Sequence, residues 1–125
     1  MSFLLLSVDH IIAVHDEMLE LNELQGMVDD KSLEAALSWV DNRLKYGLID
    51  DIYSVAASYA AAISQAHCFN DGNKRTAFQV MDLILDLNGI NVTWDVEAVG
   101  QKIVLLSQSK LDEADLAQWL RRVNV

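Results

Sequence analysis

The sequence predicts an all-α fold, and three observations carry that expectation. Proline is absent from the 125 residues and glycine occurs five times, so little interrupts a helix. Apolar residues make up 52% of the chain, which argues against disorder. These residues recur at three- and four-residue spacings through most of the sequence. The length fits one domain, residues 1–125, with a single hydrophobic core.

The first helix follows Ser7 as its cap and places Val8, Ile11, Ile12, His15, Met18 and Leu19 on one face. A loop around residues 24–30 contains Gly26, and a second helix opens at Asp30. Its stripe is Leu33, Ala36, Leu37, Val40 and Leu44, with Asp41 and Lys45 spaced to pair on the outer side. Residues 46–51 form a turn at Gly47. From Ile52 to Ala66 the chain is Ala-rich and has no charged face, which places that helix at the centre of its domain. A polar loop follows, then an apolar helix from about Asn73 to Asn88, stopped by Asn88-Gly89. Ile90 to Trp94 is short and extended. Asp95 caps a helix through Val99, Ile103, Val104 and Leu106, and a last one carries Leu116, Trp119, Leu120 and Val123. The expected architecture is six helices around two central ones.

Charge and composition narrow the function classes. A net charge of −10 repels phosphate backbones, so a direct nucleic-acid partner is not expected. No run of about 18 apolar residues suggests a membrane span. Met1 to Leu6 lacks the basic start of a signal segment, and a cytoplasmic location is expected. Cys68 is the one cysteine, which excludes an internal disulfide and suits a reducing compartment.

Packing accounts for most of the chain but not for His67-Cys-Phe-Asn-Asp-Gly-Asn-Lys-Arg-Thr76. Polar and charged groups crowd there between two apolar helices, and buried polar groups must find partners. Gly72 permits a tight turn into a helix starting near Asn73, whose free N–H groups and dipole make an anion site. Lys74 and Arg75 lie in its first turn, where a cation is unfavourable for the dipole. Phosphate binding explains their placement: Arg offers a bidentate fork and Lys a point charge. Asp71 is suited to a Mg²⁺ that bridges phosphates. His67 is the group in this segment able to take a proton near neutral pH. Together these groups point to phosphoryl or nucleotidyl transfer.

The competing readings are a solvated loop with a basic helix start, a thiol nucleophile at Cys68, and a metal centre. The order of residues is not that of a Walker loop. Sequence neighbours such as His67 and Cys68 rarely form a catalytic pair, and zinc lacks its ligand spacing.

His67-x-Phe69-x-Asp71-Gly72-Asn73-Lys74-Arg75 resembles the signature of the Fic/Doc family in its Doc (death-on-curing) form. Leu24-Gln-Gly-Met27 and the Leu33–Leu37 segment also resemble Doc-like chains. The resemblance implies a helical bundle in which His67 is the general base for a target hydroxyl and Phe69 anchors the loop. It further implies Asp71 as the Mg²⁺ ligand, with Asn73 and Arg75 on nucleotide phosphates. Adenylyl-transferring Fic proteins have Gly at the position of Lys74, which leaves an anion hole. Doc-type proteins have Lys there, bind the nucleotide reversed and phosphorylate their target.

By the same resemblance the co-substrate is ATP, the target is elongation factor Tu, and the outcome is arrested translation. A cognate antitoxin is then expected to inhibit in trans. Ser109-Lys-Leu-Asp-Glu113 approaches the self-inhibitory motif of some Fic proteins, but Ala114 departs from it, and the match is read as chance. Residues 46–51 stand where the family has its target-docking flap and are short for that task. AMP transfer and a non-catalytic binding domain are the rival readings.

His15 is expected to be a satisfied interhelical residue and His10 a surface one. The three tryptophans look scattered, which favours core packing. Asp29-Asp30 and Asp50-Asp51 look like helix caps.

Overall fold

The computed structural model describes residues 3–19, 30–66, 69 and 72–123, with 30–32 described by backbone alone. Among these residues it has six helices and no β-strand, as the all-α expectation requires. They are α1 (Val8–Met18), α2 (Asp30–Lys45), α3 (Ile52–Ala66), α4 (Asn73–Leu87), α5 (Val96–Ser107) and α6 (Glu113–Val123). The expected loop near residues 24–30 and the Asp29-Asp30 cap fall largely outside the described residues.

Local chemistry sets the boundaries. Ser7 Oγ accepts from the His10 N–H, and the Ser7 N–H donates to His10 Nδ1, both at 3.3 Å. This is a capping box with an imidazole in the usual Glu position. Asp51 caps α3 by accepting from the Ser54 N–H at 2.7 Å, and Asp95 caps α5 by accepting from Ala98 at 3.1 Å. Helix α4 ends as Asn88-Gly89 predicts. Gly89 has φ 88°, and the Gly89 and Ile90 N–H groups return to the Asp86 and Leu85 carbonyls at 3.0 and 2.8 Å.

Helix α3 is the axis of the fold. It packs against α2, α4, α5 and α6, and every residue from Val55 to Ser64 is buried. Alanines at 56, 57, 60, 61 and 62 let the neighbouring helices approach closely. Tyr59 is buried among them and donates its hydroxyl to the Leu6 carbonyl at 3.3 Å, which ties the N-terminal segment to α3. Burial, with the Asp41 carboxylate adding to it, pushes that phenol up to about 12. Helix α4 lies against α3 and carries α1 on another side.

The expected faces hold with two exceptions. Val99, Ile103 and Leu106 form the buried face of α5, and Val104, one residue on from Ile103, turns about 100° away onto the rim. Val123 is exposed in the last turn of α6. Two of the three tryptophans are not scattered. Trp94 and Trp119 stack with ring centres 6.3 Å apart, and Phe78 meets Trp94 edge-on at 5.4 Å. Trp94 reaches that cluster from the extended segment and donates its indole N–H to Asp82 at 2.9 Å. Trp39 stands outside the core, 41% exposed, with the Arg43 guanidinium 4.5 Å from its ring centre.

Candidate active site

The unusual decapeptide lies between the two central helices. Helix α3 runs up to it at Ala66 and α4 leaves it at Asn73. His67 and Asp71, the expected base and metal ligand, lie outside the described residues, as do Cys68 and Asn70. The described residues show how the segment is held. Phe69 is 2% exposed and sits in the hydrophobic core, as an anchor must. Asn73 reaches back to it: the Asn73 Oδ1 accepts from the Phe69 N–H at 3.1 Å, and its Nδ2 donates to the Phe69 carbonyl at 2.9 Å. The loop is thus tied by side chain and backbone to the first residue of the helix it precedes.

That bonding refines the role expected of Asn73. Its amide already serves the loop, so its side chain has at most one further N–H for a phosphate. Gly72 is the N-cap of α4 at φ 80°, a left-handed conformation that disfavours any side chain with a Cβ. As a glycine it brings no side chain to cap the first N–H groups. The Thr76 N–H donates to the Gly72 carbonyl at 2.9 Å, closing the first turn.

Lys74 is exposed in that turn and Arg75 is half-buried. Both border a cavity of about 290 Å³ between α4 and α5, whose apolar walls include Phe78, Val99 and Ile103. The structure therefore brings Gly72, Asn73, Lys74 and Arg75 together at one helix start. Thr76 is buried behind them, and its Oγ1 has no hydrogen-bond partner among the described residues.

Sequence reasoning set His15 aside, and the structure places it against the motif. Its ring is 1% exposed and lies flat on Phe69, with centres 3.7 Å apart and planes 7° from parallel. A Cβ added at Gly72 stands 3.6 Å from His15 Cδ2 and Nε2 and 3.5 Å from the Arg75 guanidinium. The signal in the sequence was a titratable ring on the apolar stripe of α1, beside Asp16.

Among the described residues no three His, Cys, Asp or Glu side chains gather as a metal cage. Mg²⁺ needs no such cage. It dehydrates reluctantly and is bound through one or two carboxylates together with substrate phosphates. A single carboxylate beside a basic helix start has that donor chemistry, and Asp71 immediately precedes the cap residue Gly72.

Two other features that the sequence singled out have structural assignments. Glu113, the acidic end of the near-match to an inhibitory motif, accepts from the buried Ser58 hydroxyl at 2.6 Å and pairs with Arg43. It staples α6 to α3 and α2, which accords with reading that match as chance. In the segment 46–51, Tyr46 and Leu48 are exposed, whereas Asp51 pairs with Arg121 at 2.8 Å in addition to capping α3.

Comparison with known proteins matches this chain to a family and to a curated relative. The family model described as Fic/DOC matches residues 5–85. The relative is a protein of Escherichia phage P1 named "Protein kinase doc". It is 34% identical over 119 residues, covering 94% of each chain. No helix among the described residues is long and apolar enough to cross a membrane.

Proposed function

Because this chain belongs to the Fic/Doc family, we propose that it is a Doc-type toxin that phosphorylates a protein hydroxyl using ATP. The observation that carries this reading is Lys74. It stands exposed in the first turn of α4, at the motif position where adenylyl-transferring relatives have glycine. An ammonium there fills the space of an anion hole and favours a terminal phosphate in its place. The name of the phage relative, a protein kinase, supports the same choice.

In this reading His67 takes the proton of the target hydroxyl as its oxygen attacks the γ-phosphorus. The bond from that phosphorus to the bridging oxygen breaks, and ADP leaves. Arg75, the backbone at Gly72 and Asn73, and Lys74 orient the phosphates at the helix start. Asp71 would hold Mg²⁺, which supplies charge neutralisation when bound. The target is elongation factor Tu in the cytoplasm, so that translation stops. A cognate antitoxin restrains the protein in trans, consistent with Glu113 being held by Ser58 and Arg43.

The test is incubation with Mg²⁺, purified elongation factor Tu and ATP labelled at the γ or the α phosphate. Label should pass to the factor from the γ position only, and His67→Ala should abolish it. Transfer from the α position would establish adenylylation instead. No transfer, with expression of the protein harmless and unchanged by His67→Ala, would leave a non-catalytic binding domain.

A further inference from the structure

We propose that His15 is a positioning residue for the motif: from α1 it holds the loop and the start of α4 in register, with Asp16 fixing its tautomer. The proposal rests on the assignment of residues 67–76 as the transfer site, and three observations carry it. The first is the stack. The imidazole and the Phe69 ring lie 3.7 Å apart and nearly parallel, both almost fully buried. An aliphatic side chain would fill the space but would not present a flat polar ring there. The second is the contact with the helix start. His15 Cδ2 and Nε2 flank the side of Gly72 on which a Cβ would sit, and Arg75 flanks the same point. One ring edge therefore adjoins the left-handed residue that opens α4, at the point that the guanidinium assigned to phosphate also approaches. The third is Asp16, whose Oδ1 lies 3.1 Å from His15 Nδ1.

An ionised carboxylate only accepts hydrogen bonds. In the tautomer that this contact favours, the proton sits on Nδ1 toward Asp16, and Nε2 lies on the ring edge that faces Gly72. This is the arrangement in which a second group sets the ring nitrogen presented to a site. Helix α1 packs directly on α4. Through His15 that packing extends to Phe69.

Three variants separate this role from plain core filling. His15→Phe keeps a flat buried ring over Phe69 and removes both nitrogens. Asp16→Ala removes the proton acceptor from a side chain that is 60% exposed, so the fold is spared. His15→Ala removes the stack as well. Each is assayed for phosphoryl transfer from ATP to elongation factor Tu, with kcat and KM for ATP measured separately, and for thermal unfolding. Long-range proton–nitrogen spectra of the imidazoles report the tautomer, with His15 assigned by its loss in His15→Phe.

A misplaced reacting geometry costs up to about a hundred-fold in rate. His15→Phe should thus lose about ten-fold or more in kcat with KM for ATP within about two-fold. Asp16→Ala should lose several-fold in kcat and shift the ring proton off Nδ1. Wild-type kcat in His15→Phe overturns the proposal, as does a change confined to KM or a wild-type ring protonated at Nε2. If His15→Phe is unfolded at the assay temperature, Asp16→Ala decides. If wild type transfers no label, the assigned reaction fails, and the tautomer and its dependence on Asp16 still judge the placement of His15.

Discussion

Asn73 holds Phe69 by both of its backbone polar groups, accepting from the N–H at 3.1 Å and donating to the carbonyl at 2.9 Å. Asn88 does the same to Leu4 at the other end of α4, at 2.8 and 2.9 Å. The helix that opens the candidate site is thus bracketed by two asparagine clasps, each tying down a residue that lies outside the helices. The primary amide is the side-chain group that serves a backbone N–H and C=O together, because it carries a donor and an acceptor.

Asn73→Ala leaves both Phe69 groups without these partners. At about 1 kcal/mol per net hydrogen bond, the variant should lose about 2 kcal/mol of stability. Urea denaturation reads this directly. A loss below about 0.5 kcal/mol would mean that water replaces the amide at no cost. Phosphoryl transfer should fall as well, because the loop that carries His67 is released.

The helices were legible in the sequence because their signals are local. Ser7, Asp95 and Gly89 act within a few residues of themselves, and the uncharged face of α3 announces its central place. The motif was legible as a pattern of residue types. What stayed hidden depends on partners distant in sequence. Trp94 and Trp119 look scattered until α4, α5 and α6 close on one another, and His15 looks like core until α1 docks on the loop. Asn73 read as a phosphate ligand because its spacing to Phe69 becomes a clasp only when the loop turns back at Gly72.

Glu113 joins three helices, through the fully buried Ser58 hydroxyl and the Arg43 guanidinium. Glu113→Ala leaves both donors poorly solvated without their acceptor. A loss of about 2 kcal/mol is expected, from a partly buried charge pair and one hydrogen bond. Transfer activity per folded molecule should not rise. A rise would show that residues 109–113 restrain the site after all.

Thr76 carries the opposite expectation. Its Oγ1 is buried without a partner among the described residues, so the hydroxyl has given up water with no such bond in return. Thr76→Val keeps the branched shape and removes that atom. It should gain about 1 kcal/mol and raise the melting temperature by a few degrees in calorimetry. Destabilisation would reveal a partner for the hydroxyl.

Asp51 sets an acid limit. Burial alone would raise its pKa, but the hydrogen bonds from Arg121 and Ser54 outweigh that and lower it from 3.8. The folded value lies below the unfolded one. The stabilisation is therefore fully present above the unfolded value and is lost as pH falls through the folded one. Asp51→Asn retains a capping side chain and removes the charge. Because Asp51 is 40% exposed, solvent screens the pair, and the variant should be less stable by about 1 kcal/mol or less at neutral pH. The gap should close below about pH 4, as denaturation across pH will show. A gap that stays constant to pH 2 would assign the effect to shape alone.

Lys74 should separate stability from activity most sharply. It is exposed, and it puts a cation where the dipole of α4 is positive. Among the described residues no ion pair offsets that placement. Lys74→Ala should therefore leave stability unchanged or raise it by about 0.3–1 kcal/mol, read by thermal unfolding at low ionic strength. The same change removes the ammonium assigned to the terminal phosphate, and losing one such donor costs about a hundred-fold or more in kcat. Labelled γ-phosphate transfer measures that arm. A variant that is less stable and equally active would make Lys74 a structural residue and remove the main support for phosphoryl over adenylyl transfer. A variant that is more stable and inactive shows instead that the helix start keeps an unfavourable charge for its ligand.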